Sequence, residues 1–234
     1  MAKYTKIFVK IPDLNRAFTY GTMNFMNPTD VKLNIAMLKK IKSQYGSLIK
    51  EWGNEFEIDE SIIISFIATE SGGVSQPPKK GAVARGLMGL TSGAVWETLV
   101  KWKNEVDSPL SEKAKAYFNK KLPNLKNINP NAKVNSSDLD KIWQTLAQDD
   151  FNIASGVATI RWLIEAFKEN GTSPINKTML TYNWSYYTAR NLLKGNPTSE
   201  SMVMNTKFPK ESRNYLLKQL GVNGFMELYV KNNI

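Results

Sequence analysis

The chain has 234 residues, 42% of them hydrophobic and 22% charged, and a formal net charge of +10; this is the make-up of a globular protein with enough chain for one large core. It contains neither His nor Cys, which excludes Ser-His-Asp and Cys-His nucleophilic catalysis, thiol redox chemistry, a disulfide framework and zinc sites built on imidazole or thiolate. If the chain is an enzyme, its acid–base chemistry falls to carboxylates, Lys, Tyr or a metal held by oxygen. No apolar run approaches the roughly 20 residues of a membrane span, and the start, Met1 to Pro12, has no secretory-signal pattern; synthesis in a cytoplasm, with no transmembrane segment, is the expectation. The basic balance favours anionic partners such as nucleic acid, anionic lipid or wall polymers. Nucleic acid is not favoured among them, because only five of the basic residues are Arg and no compact Arg/Lys cluster interleaves with aromatics.

Residues 1–28 read as a separate extension, with Lys6-Ile7-Phe8-Val9-Lys10-Ile11 composed like a short strand and Asn27-Pro28 marking a boundary. Thr29 or Asp30 then caps a long amphipathic helix, in which Val31, Ile35, Leu38, Tyr45, Ile49 and Trp52 recur at helical spacing before Gly53-Asn54. Asp59 is placed to cap a second helix from Glu60 to Glu70, stopped by Ser71-Gly72-Gly73. After a loop over Ser75 to Gly81 come Arg85-Gly86-Leu87-Met88-Gly89-Leu90 and a helix capped by Thr91 or Ser92, carrying Val95, Trp96, Leu99 and Trp102.

A short helix is expected near Glu112 to Lys121, followed by an irregular stretch rich in Asn, Lys and Pro over 119–136. Ser136 or Ser137 is the expected cap of a helix through Trp143 and Leu146. Phe151, Ala154, Val157, Ala158, Trp162, Ile164 and Phe167 make the next helix apolar on more than one face, so it should be the central buried one, ending before Gly171. Pro174 opens a helix reaching Thr181-Tyr182-Asn183, and Phe208-Pro209-Lys210-Glu211 opens the last clear one, running past Leu220.

Within the second helix Ile63, Ile67 and Glu70 share a face, so a carboxylate closes an apolar stripe. Two readings follow. Glu70 is either the solvated end of the helix or a buried acid that holds its proton, because an ionised carboxylate without a partner is costly to bury.

Four segments, Glu70-Ser71-Gly72-Gly73, Arg85-Gly86-Leu87-Met88, Tyr182-Asn183 and Pro209-Lys210-Glu211-Ser212-Arg213-Asn214-Tyr215, resemble in order and spacing the soluble-type lytic transglycosylases, lysozyme-like enzymes that cut the glycan strands of peptidoglycan. Asn152-Ile153-Ala154-Ser155-Gly156 is also similar to the family's segment at the start of the central helix. The likeness covers about residues 56–220. It implies a mostly α, lysozyme-like catalytic domain over 29–220, with the 1–28 extension before it and a tail, 221–234, behind. Two positions depart from the family's pattern: Gly89 stands where a Gln is usual, and Trp184-Ser185 follows Tyr182-Asn183 where small residues are usual. The first removes a side-chain amide from the cleft. The second adds an indole near it, and Trp184, Tyr186 and Tyr187 read either as packing residues or as an aromatic shelf for sugar rings.

The resemblance implies cleavage of the MurNAc–GlcNAc β-1,4 bond by one catalytic acid, Glu70, giving 1,6-anhydroMurNAc ends. Most glycosidases use two carboxylates; here the muramic acid C6 hydroxyl would replace the second. Ser71, Gly86, Leu87, Met88, Tyr182, Asn183 and Tyr215 are the expected substrate-binding and site-shaping residues, with Ser71 equally readable as a helix-end cap. No cofactor and no metal is called for. Asp149-Asp150 reads as the capping and dipole pair of the central helix, and Glu97 as a solvated helical residue. A bacteriophage enzyme acting at the bacterial cell wall is the expectation, either carried in the virion, docked to tail proteins through residues 1–28, or released from the host cytoplasm at lysis. The alternatives are a hydrolysing muramidase on the same fold and a structural virion protein that kept the fold without activity.

Overall fold

A computed structural model describes residues 28–75, 83–105, 110–123, 135–167, 175–195 and 197–234. These residues are mostly helical. The long helix α1 (Pro28–Phe56) continues one turn beyond Gly53-Asn54. Gly53 does not end it, because the helix stops where the backbone turns left-handed, at Glu57 with φ 54°. Gly53 instead lets the following segment close in: Ile58 N donates to Gly53 O at 2.8 Å, and a Cβ at Gly53 would lie 2.8 Å from the Ile58 carbonyl oxygen.

Asp59 caps α2 (Glu60–Ser71) as its sequence position predicts, accepting from Ser61 N at 2.8 Å. Gly72 closes the helix in the left-handed region at φ 63°, its N–H bonded to Ala68 O, a conformation that costs glycine little. Every residue from Ser61 to Ala68 is buried. The helix is therefore enclosed on all sides rather than along the single stripe predicted from spacing.

An antiparallel pair of two-residue strands, β1 (Ala84–Arg85) and β2 (Leu90–Thr91), brackets the turn Gly86–Gly89. Helix α3 (Ser92–Glu105) follows, with Thr91 Oγ1 accepting from Ala94 N at 3.1 Å as the expected cap. Helix α4 (Glu112–Lys121) has the predicted bounds. Helix α5 (Ser136–Thr145) starts at Ser136, earlier than a serine cap would place it, because its cap is Asn135, whose side chain accepts from Ser137 N. An Asn just outside the first turn reaches the second N–H as well as Ser does, so spacing alone does not choose between them.

Helix α6 (Asp149–Ala166) is the central element: Phe151 to Leu163 and Ile164 are buried throughout, and α1, α3 and α7 (Ile175–Tyr182) all pack on it. Two short helices not expected from the sequence, α8 (Tyr186–Ala189) and α9 (Ser199–Met204), lead to α10 (Lys210–Leu220). The segment 221–234, expected as a tail, instead carries a further helix, α11 (Phe225–Lys231), packed on α1, α2 and α10 with Phe225, Met226 and Leu228 buried. Burying three large apolar side chains is worth several kcal/mol before ordering costs. The predicted strand at Lys6–Ile11, the loop from Gln76 to Gly81, most of the irregular stretch 119–136, Gly171 and Pro174 lie outside the described residues. No described helix is long and apolar enough to cross a membrane.

Candidate functional site

Glu70 is the penultimate residue of α2, two residues beyond the buried segment Ser61–Ala68. Its own side chain is half-buried. Burial raises its pKa from the ordinary 4.5 to about 7. The hydroxyl of Tyr215 pulls the value part of the way back, the negative charge of Glu211 pushes it up, and the ammonium of Lys218 lowers it. A carboxylic acid that is protonated about half the time at neutral pH, yet touches solvent, is able both to give and to take a proton. Half-buried, the carboxyl is not a freely solvated helix end, and its partial burial favours the protonated form.

Three elements close around that carboxyl. Helix α10 presents Glu211, Tyr215 and Lys218, which at i, i+4 and i+7 form one stripe along its surface; all three act electrostatically on Glu70. The α2–α10 contact is fixed by Ser65, whose hydroxyl bridges Ile62 O at 2.7 Å and Gln219 Oε1 at 2.9 Å inside the interface. Helix α7 supplies Tyr182, whose ring meets Phe66 edge-on at 4.7 Å and stacks on Tyr215 at 6.3 Å. Phe66 lies one turn before Glu70 and also contacts Tyr215, at 6.0 Å. Burial, followed by the nearby Glu70 charge, holds both phenols protonated, their pKa values well above the usual range. The Tyr215 hydroxyl is sealed from solvent and makes no hydrogen bond of regular geometry; its approach to Glu70 is a looser polar contact.

The third element is the turn Gly86–Gly89, and Asn152 locks it in place. This wholly buried side chain accepts from Met88 N at 2.8 Å and donates to Arg85 O at 2.9 Å and Leu146 O at 3.2 Å. A Cβ on Gly86 would overlap the Asn152 amide, and a Cβ on Gly156 would overlap the Met88 side chain, so both glycines mark close approach of turn to helix. Tyr182 Oη donates to Met88 O at 3.0 Å, joining α7 to the same turn. Leu87 and Met88 are fully buried. Arg85 anchors the entry to the turn by donating to Trp143 O at 2.9 Å while its guanidinium lies 4.2 Å from the Trp143 ring centroid.

Gly89 touches Glu70 itself. Its backbone is left-handed at φ 57°, and a Cβ there would overlap Oε2 of Glu70 and sit 2.7 Å from its Cδ. Any side chain at position 89 would therefore run into the carboxyl group. One side of the acid is shielded by peptide backbone.

The other expected site residues divide. Ser71 is a helix-end cap: its hydroxyl donates to Ile67 O at 3.1 Å and accepts from Gly73 N at 3.2 Å. Asn183 follows α7 on an exposed turn. Trp184 packs edge-on to Phe208 at 6.1 Å, and Tyr186 meets Trp162 at 5.2 Å and Phe167 at 5.1 Å, which makes both of them packing residues. Asp149 and Asp150 lie in the first turn of α6, favourable for its dipole, but the cap position belongs to Gln148, which makes no side-chain cap bond. Asp150 pairs with Lys121 at 2.7 Å and accepts from Tyr117 Oη at 2.9 Å. Glu97 is half-buried and already engaged in a contact, not freely solvated.

Asn152, Gly89, Phe66 and Lys218 were not named as site residues from the sequence. A signal existed for the first: an amide at the start of an otherwise apolar helix demands buried partners. Among the described residues no group of three or more carboxylates is placed to hold a metal ion. No known family model matches this chain, and no curated protein or solved structure matches it.

Proposed function

We propose that this protein is a lysozyme-like lytic transglycosylase that cleaves the MurNAc–GlcNAc β-1,4 bond of peptidoglycan. One observation carries the reading: Glu70 stands at the end of a buried helix, backed by the Gly89 peptide and the Tyr182–Tyr215 pair, with burial raising its pKa to about 7. That setting suits a group that must first be an acid and then a base. Protonated Glu70 gives its proton to the glycosidic oxygen as the bond to the anomeric carbon breaks. The carboxylate then takes the proton of the muramic acid C6 hydroxyl while that oxygen attacks the anomeric carbon from within the same sugar, an intramolecular step favoured by proximity. The product ends in a 1,6-anhydro ring and no water is consumed.

The net charge of +10 suits an anionic wall polymer as partner. A bacteriophage context, with the enzyme in the virion or released at lysis and residues 1–28 as its docking segment, belongs to the same proposal. A second reading, hydrolysis on the same fold, is favoured by one feature: Glu211 lies near enough to Glu70 to raise its pKa, and a second carboxylate is what a water-activating glycosidase uses. Mass spectrometry of muropeptides from purified walls separates the two. Products one water lighter than reducing-end sugars support the transglycosylase, reducing ends alone support the muramidase, and intact walls leave neither.

A further inference from the structure

We infer that Gln219 is a positioning residue for Glu70: its buried amide donates to the hydroxyl of Tyr215 and so turns that hydroxyl toward the carboxyl group. The inference rests on Glu70 being the acid and base of the proposed reaction, and it gives a chemical consequence to a side chain that otherwise joins two helices. Tyr215 and Gln219 lie four residues apart on α10 and share one face. Gln219 is wholly buried, and Ser65 Oγ donates to its Oε1 at 2.9 Å, which fixes the end of the amide that points back at α2. The other end, Nε2, has no solvent contact and no hydrogen bond of regular geometry, and the same is true of Tyr215 Oη. A buried donor left unpaired is costly, and these two atoms, one helical turn apart in the core, satisfy each other when they meet.

The direction of the chain follows from its ends. Ser65 fills the acceptor of Gln219, so the amide offers an N–H to Tyr215, and a phenol that accepts there has its own proton free for Glu70. The Tyr215 ring is held in place by Phe66 at 6.0 Å and Tyr182 at 6.3 Å. Each donation strengthens the next in a medium of low polarity, and the last one favours the carboxylate, against the burial that favours the acid. Other groups act on Glu70 or lie along α2. Glu211 and Lys218 of α10 and Tyr182 of α7 act on Glu70 directly, and Gly89 meets it with backbone alone. Helix α1 brings Asp30 beside Thr69 and Lys218, and Lys42 to the charges of Asp59 and Glu60, while α11 brings Glu227, bonded to Asn223 N and Lys231. Gln219 is neutral, so replacing it by Met leaves every one of these charges in place.

The test is a carboxyl-carbon NMR titration of Glu70 in the full-length protein, with Glu70→Gln identifying the signal. Gln219→Met should raise the midpoint from about 7, a gain in proton affinity of roughly threefold or more. Tyr215→Phe should raise it too, and the double variant no further than Tyr215→Phe alone, because Gln219 acts only through the phenol. In the parent, the side-chain amide protons of Gln219 should titrate with the Glu70 midpoint. A Gln219 that merely tied α10 to α2 would leave the midpoint where it is. An unmoved midpoint in a Gln219→Met protein with parental melting therefore overturns the inference, as do additive shifts in the double variant. Should Gln219→Met not fold, the parent decides: amide signals of Gln219 that ignore the ionisation of Glu70 overturn the inference, and signals that follow it support it. The titration is read without substrate and does not depend on turnover. A protein with the expected midpoints that leaves walls intact would refute the proposed function and keep the role of Gln219, and one that releases anhydro ends while Gln219→Met leaves the midpoint unmoved would do the reverse.

Discussion

Replacing Glu70 by Gln keeps the shape of the side chain and removes its titration, so stability should change with pH in a defined way. The folded-state pKa of about 7 lies above the ordinary 4.5 expected in the unfolded chain. Below 4.5 both states hold the proton and the carboxyl contributes nothing adverse. As pH rises from 4.5 to 7 the unfolded chain releases its proton while the folded protein keeps its own, and the parent loses stability across that window. The full gap corresponds to roughly 3 kcal/mol at about 1.4 kcal/mol per tenfold change. Because Glu70 keeps some contact with solvent, screening reduces this to a working figure of about 2 kcal/mol. Glu70→Gln should therefore match the parent at pH 4 and exceed it by about 2 kcal/mol at pH 8, measured by urea unfolding with equal slopes at pH 4, 6 and 8. Wall-clearing activity should fall by orders of magnitude in the same variant. A stability difference that is flat with pH, or that grows toward acid, would show that the folded protein does not hold this proton.

Asn152→Ala orphans Met88 N–H and the carbonyls of Arg85 and Leu146, so a loss of about 3 kcal/mol by denaturant titration is expected; Asn152→Asp should not rescue it, since a carboxylate cannot donate to two carbonyls. A loss under 1 kcal/mol would mean that the turn is held by packing alone. In Gly89→Ala the methyl must displace the Glu70 carboxyl and adopt φ 57°, at roughly 1–2 kcal/mol of backbone strain. Carboxyl-carbon NMR should then find the Glu70 midpoint moved from about 7 toward 4.5, and an unmoved midpoint would count against Gly89 as the shield. Tyr182→Phe removes one hydrogen bond to Met88 O, for which about 1 kcal/mol of thermal or chemical stability should be lost; equal stability of variant and parent would place that carbonyl in contact with water.

Several features were determined by the sequence on its own. Asp59 and Gly72 bound α2 because capping acts within a few residues of chain, where neighbours along the sequence are neighbours in space. The apolar make-up of Phe151 to Ile164 fixed α6 as the central helix, since a helix without a polar face has nowhere else to go. The absence of His and Cys restricted the chemistry before any fold was known. Tertiary structure decided the rest. The run from Ile62 to Glu70 does not reveal whether its last carboxylate meets water, because that depends on Gly89, Tyr182 and Tyr215, which arrive from positions up to 145 residues away (215 − 70). Asn152 became a site residue only when its amide met the turn 64 positions before it. Helix α11 gave little sign of itself for the same reason: seven residues are too few to announce a helix by periodicity, and what holds Phe225, Met226 and Leu228 is the surface that α1, α2 and α10 offer once they have packed together.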